Sequence, residues 1–128
     1  MPTHCHLLIK PHDPACVSAV LYGLKKSVTN RALAWARRHR PASLARMADR
    51  TPNGQVCHRF WQRGGGHDRN IYGPREIRQK ISYIHANPVR SGLVDHPAKW
   101  FWSSYRAWET GEDVPMAIDR HTLPPLPL

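Results

Sequence analysis

Acidic residues are scarce in this chain. Nine Asp and Glu stand against nineteen Lys and Arg in 128 residues, leaving a formal net charge of +10 with nine histidines in reserve. So uneven a balance points to a polyanion as partner, because Lys and Arg that neutralise phosphates release bound counterions. Long hydrophobic runs are missing as well. The longest uninterrupted one, Ala32 to Ala36, is five residues, far short of the ~20 that a membrane-spanning helix needs. No succession of charged, apolar and small residues opens the chain, so no secretory signal is expected. Cysteine is limited to Cys5, Cys16 and Cys57, an odd number without a Cys-x-x-Cys pair. That argues against a disulfide scaffold and for a cytoplasmic protein with no membrane association.

What is present suggests one small domain rich in turns. The length corresponds to a single domain, the 41% apolar content permits a modest core, and twelve prolines require several loops. Thr3 to Ile9 reads as a strand with His4, His6 and Leu8 on one face and Cys5, Leu7 and Ile9 on the other. From about Ala15 to His39 the spacing turns helical, with Val17, Leu21, Leu24, Val28, Ala32 and Trp35 as the expected buried stripe. Pro41 interrupts it, and residues 42–47 add a short helical turn. Asp49 to Gly54 has loop chemistry, Gln55 to Trp61 reads as a second strand, and Gly64 to Gly66 breaks the chain. Gly73-Pro74 predicts a helix start, with Ile77, Ile81 and Ile84 buried and Asn87-Pro88 ending or kinking the helix. An aromatic segment follows (Trp100, Trp102, Tyr105, Trp108), then a proline-rich tail over 109–128 expected to be extended.

Three groups of residues have chemical potential. His4 and His6 are two positions apart on a strand, about 6.5 Å between Cα atoms, close enough to share a metal; taken alone, the pair reads more readily as partly exposed strand histidines in a histidine-rich chain. Tyr83 and Asn87 are one helical turn apart and project from one face, at the border of the isoleucine stripe. A tyrosine in that position commonly serves packing. The third group is a basic and aromatic field running through Arg59, Trp61, Arg63, Arg69, Arg75, Arg78, Lys80 and Arg90. Rings that stack on bases and cations that hold phosphates suit single-stranded nucleic acid, and only Asp68 and Glu76 interrupt the segment. A zinc site drawing on Cys57, His58 and the first histidines lacks zinc-finger spacing.

Taken together these segments resemble a known family. Met1-Pro2-Thr3-His4-Cys5-His6-Leu7-Leu8-Ile9 is similar to the histidine–hydrophobic–histidine strand of single-tyrosine bacterial transposases of the HUH type. Arg59-Phe60-Trp61-Gln62, then Tyr83-Ile84-His85-Ala86-Asn87-Pro88-Val89-Arg90-Ser91-Gly92-Leu93-Val94, resemble the central motifs of the REP-associated tyrosine transposases. Pro97 to Tyr105 resembles their closing tryptophan motif, and the blocks stand in the family's order between Met1 and about Trp108.

The resemblance implies an α+β fold, a small antiparallel sheet packed by helices in a ferredoxin-like core, occupying 1–108. It implies an enzyme that cleaves and rejoins single-stranded DNA, often with hairpin ends, as a monomer or homodimer. Carried over, Tyr83 matches the nucleophile, His4 and His6 match metal-binding histidines, and Asn87 stands where a further ligand lies or is adjacent. Mg²⁺ or Mn²⁺ is the implied ion. Arg59, Trp61, Arg63, Arg69, Arg78, Lys80 and Arg90 are the expected DNA contacts. Cys5 departs from the family's apolar middle residue but behaves as a small hydrophobe. Family members carry a strand, a helix and a strand before the histidine motif, whereas this chain begins within it, so a partial core with poorly cooperative unfolding is expected. A non-catalytic DNA-binding remnant is the second expectation, and a zinc-stabilised interaction protein the third.

Overall fold

The computed structural model describes residues 1–13, 17–64 and 66–123. It is mixed helix and strand, with four α-helices, two 3₁₀ turns and one two-stranded antiparallel sheet among the described residues. None of these helices is long and apolar enough to cross a membrane. The chain divides into two units, Ile9–Asp68 and a second formed by Met1–Leu8 with Arg69–Leu128.

The Ile9–Asp68 unit is organised by α1, Val17–His39. Arg37, Arg38 and His39 lie in its last turn, where cations complement the negative end of the helix dipole. Arg40 leaves the helical region at φ −147°, in keeping with the bias of a residue before proline, and Pro41 opens the 3₁₀ turn Pro41–Ser43. The short α2, Leu44–Met47, follows directly. The ribbon pairs β1, Ala48–Arg50, with β2, Val56–His58, in the register Ala48 to His58, Asp49 to Cys57 and Arg50 to Val56. Their connection is a turn closed by Gly54 N–H donating to Thr51 O at 2.9 Å, with Gly54 at φ 78° where a side chain would be strained. The loop expected over 49–54 thus yields its first two residues to β1, and the expected strand 55–61 contracts to three residues.

The buried face of α1 differs from the expected one. Leu33 and Ala36 are buried, whereas Leu24 and Trp35 of the predicted stripe are exposed. The reason lies in the segment after β2. The Trp61 indole N–H donates to Lys25 O at 3.1 Å, and residues 59–64 lie against Lys25 and Thr29. Lys25, Thr29, Leu33 and Ala36 form one row of the helix, so cover on that row leaves the Leu24 and Trp35 side to solvent.

In the other unit α3, Pro74–Arg90, begins as its sequence predicts, with Pro74 in the first turn and Glu76 accepting from Tyr72 N–H at 3.0 Å. It runs past Asn87-Pro88 to Arg90 instead of ending there. Proline removes only one donor, and the final turn is closed by Ser91 N–H to Asn87 O and Gly92 N–H to Val89 O. Pro88 is itself buried, as is His85. After the 3₁₀ turn Pro97–Lys99 comes α4, Tyr105–Glu109, which buries Ala107. Residues 110–123 contain no helix or strand; the last five residues of the proline-rich tail lie outside the described residues, as do the expected helix start at Ala15 and Gly65 of the glycine break.

The histidine segment also requires correction. Thr3 to Ile9 is not a strand, and the sheet does not carry the histidines. A strand exists only against a neighbour that satisfies its backbone groups, and no described residue forms a ladder with this segment.

Candidate functional site

Although unpaired as a strand, the Met1–Leu8 segment places His4 and His6 together. Their Nε2 atoms are 3.2 Å apart, with ring centroids 4.9 Å apart and edge to face. Thr3 Oγ1 lies 3.1 Å from His4 Nδ1, which leaves His4 Nε2 turned to its partner. The imidazole of His6 reaches α3 at two points. Its Nε2 contacts the Asn87 side-chain amide, and its ring stands 5.7 Å from that of Tyr83. One helical turn therefore supplies both Tyr83 and Asn87 to the same histidine. Burial lowers the His6 pKa from its ordinary value, and the neighbouring His4 and the terminal ammonium lower it further.

Tyr83 is 45% exposed. Lys80, one turn before it, and Arg90, two turns after it, each stand over its ring at 5.7 Å. The structure thus gathers His4, His6, Tyr83 and Asn87, with two of the expected DNA-contact cations around the phenol.

The donor chemistry can be tested against a metal. Two imidazole nitrogens bound to one divalent ion at about 2.1 Å stand roughly 3.0–3.4 Å apart, and the observed 3.2 Å lies in that range. Turned to present Oδ1, the Asn87 amide adds a third donor; which amide atom faces inward is set by the hydrogen-bond network. Two imidazoles and an amide form a neutral set that fits Mn²⁺ better than Mg²⁺, which prefers carboxylate and water oxygens. No three His, Cys, Asp or Glu side chains converge on a metal position among the described residues. Cys57 and His58 are adjacent in β2, so they point to opposite faces of the ribbon and make no zinc pair.

The expected basic field is divided between the two units, Arg59, Trp61 and Arg63 in one and Arg69, Arg78, Lys80 and Arg90 in the other. Arg59 and Arg63 both bond Asp49, Arg63 through Nη2 to Oδ1 at 2.6 Å and Nε to Oδ2 at 3.0 Å. These bonds, those of Arg63 foremost, hold the Asp49 carboxyl well below the usual carboxylate range. Trp61 has its indole N–H committed to α1 and lines a cleft of about 300 Å³ with Lys25, Thr29 and Phe60. Arg69 pairs with Glu76 at 2.8 Å, while Arg78 is half-buried on α3. Asp49 escapes sequence reading because its partners are ten and fourteen positions away, across the hairpin.

A further polar group was not singled out from sequence. His85, 5% exposed, has its Nε2 3.0 Å from Ser104 Oγ, and its ring meets Tyr105 edge to face at 5.4 Å. Burial pulls the His85 pKa below its ordinary value, while Glu109 works in the opposite direction. His85 lies on the face of α3 opposite Tyr83 and Asn87, so this contact bears on the roll of the helix that presents them. Comparison of the chain with protein-family models, with curated proteins and with solved structures finds no match.

Proposed function

We propose that this chain is a metal-dependent, tyrosine-based nuclease and strand transferase for single-stranded DNA, a transposase-type activity on a ferredoxin-like core. The observation that carries the reading is the meeting of His4, His6 and Asn87 beside an exposed tyrosine. His4, His6 and Asn87 would hold the ion, which when bound supplies Lewis acidity toward a phosphodiester. The Tyr83 Oη attacks phosphorus in line; the new O–P bond forms as the bond to the 3′-oxygen breaks. The phenolic proton passes to solvent, and the departing 3′-oxygen takes up a proton to become a free hydroxyl. Lys80 and Arg90 favour the charge that gathers on the phenol oxygen and the phosphate. The 5′-phosphotyrosine keeps the energy of the phosphodiester, so a second 3′-hydroxyl can reverse the step and join strands.

The decisive experiment offers end-labelled single-stranded hairpins with Mn²⁺ to the wild type and Tyr83→Phe. A detergent-resistant labelled adduct is expected only with the wild type. Salt-sensitive binding without an adduct would replace this reading with that of a DNA-binding chain lacking cleavage, which the basic excess of Ile9–Asp68 favours.

A further inference from the structure

Charge is divided unevenly between the two units. Ile9–Asp68 carries eleven of the nineteen basic residues and three of the nine acids, a net of +8; the remainder carries eight and six, a net of +2. Helix α1 alone holds five of those cations and no acid.

The C-terminal half of α1 concentrates the effect. Arg31, Trp35 and Arg38 follow the spacing i, i+4, i+7 and so share a face, opposite the row that buries Leu33 and Ala36. Both arginines are exposed, and no described carboxylate pairs with either. Between them Trp35 is 55% exposed, its indole tilted 32° against the His39 ring at 5.3 Å. A helix face that serves only solvation has no use for an indole, whose exposure forfeits apolar burial. An aromatic ring flanked by guanidinium groups is the arrangement that stacks a base and holds its phosphates.

We propose that Arg31, Trp35 and Arg38, in the unit that does not carry Tyr83, form a docking surface for single-stranded nucleic acid that does not depend on chemistry at Tyr83. One base stacks on the indole, and the phosphates on either side meet the two guanidinium groups. The two arginines are about 10 Å apart along the helix axis, which leaves the indole between them.

The test is fluorescence anisotropy of a labelled oligo-dT titrated with the full chain over a range of salt. Every protein carries Tyr83→Phe, so the readout is the same whether or not the chain cleaves DNA. Trp35→Ala should weaken binding roughly tenfold, the scale of one stacked base, while Trp35→Phe keeps most of it. Arg31→Gln with Arg38→Gln should flatten the log–log salt slope by about 1.4, two phosphate contacts at about 0.7 each. Arg46→Gln removes one charge from the same unit off this face and should change affinity less than either single α1 substitution. The proposal is overturned if Trp35→Ala binds like its parent, or if Arg46→Gln loses as much as Arg31→Gln. Stronger competition by duplex DNA than by unlabelled oligo-dT would overturn it too. So would loss of co-sedimentation with phosphatidylserine vesicles in Trp35→Ala without loss of DNA binding.

Discussion

The imidazole of His6 stands edge-on to the phenol of Tyr83, with ring centroids 5.7 Å apart and an interplanar angle of 80°. A histidine that also meets His4 and Asn87 through Nε2 joins the residues proposed to hold the ion to the proposed nucleophile. His6→Ala should therefore weaken Mn²⁺ binding and remove the phosphotyrosine adduct together. Asn87→Ala should weaken Mn²⁺ by about tenfold or more, whereas Asn87→Asp, which supplies a charged oxygen, should tighten it. Titration of free Mn²⁺ by electron paramagnetic resonance checks both. Unchanged affinity in His6→Ala would remove the histidines from the metal site.

Acid should act on this unit through two imidazoles. Burial foremost lowers the pKa of both His6 and His85 in the folded chain, so the unfolded chain binds more protons as pH falls below 6.5. The stability associated with their neutral forms is complete above the unfolded value and is lost as pH falls through the folded values. Metal binding should fail over the same range, since an imidazole must be neutral to ligate, and cleavage should drop below about pH 6. Melting temperature against pH, for wild type and His85→Gln, tests the stability part: the variant should show the weaker acid dependence. A cleavage rate constant from pH 5 to 8 would contradict the ligand roles.

Ser104→Ala removes the partner of a buried imidazole nitrogen 3.0 Å away. The expected cost is about 1–2 kcal/mol in urea unfolding, because His85 loses its hydrogen bond without gaining water. Since α3 carries Tyr83 and Asn87 on the face opposite His85, a loosened His85 contact shifts them and cleavage should fall by more than the lost stability alone explains. Equal losses would leave His85 with packing as its only role.

Asp49→Asn should separate folding from binding. The carboxylate restrains Arg59 and Arg63, so its loss loosens the hairpin and lowers the melting temperature. The same change frees two cations, and affinity for single-stranded DNA should rise, with a salt slope steeper by about 0.7 for each new phosphate contact. Weaker binding in Asp49→Asn would show that the carboxylate holds those arginines in a binding geometry.

Calorimetry should give a broad transition. The described core is small, with Leu33 and Ala36 buried in one unit and Ala107 and His85 in the other, and no large side chain among the described residues is fully buried. A single sharp endotherm would contradict it.

Helices α1 to α3 were legible in the sequence because their signals are local, whereas the short α4, within the aromatic segment, was not. Pro74, Glu76 and the spacing of Ile77, Ile81 and Ile84 define α3 within a few turns. The persistence of α3 through Pro88 was not legible, because the penalty for proline depends on whether the last turn finds other donors. The roll of α1 was hidden for a related reason. Its apolar residues permit more than one face, and Trp61, twenty-six positions beyond Trp35, decides which is covered. At the candidate site the residue types were visible, but not Asp49 or Ser104, whose partners are brought near only by the fold.

Tyr83 and Asn87 belong to one turn of α3, so their separation is an internal constant of that helix. The histidines reach them from a segment eighty-one positions away in the chain. The site therefore has a single seam, and closing it is a loop closure whose entropic cost grows only with the logarithm of the intervening length. Insertions between residues 9 and 68 would barely alter that cost, whereas a change at Thr3, His4 or His6 acts on the latch itself. Long-range assembly of this kind makes the site an all-or-none property of segment docking.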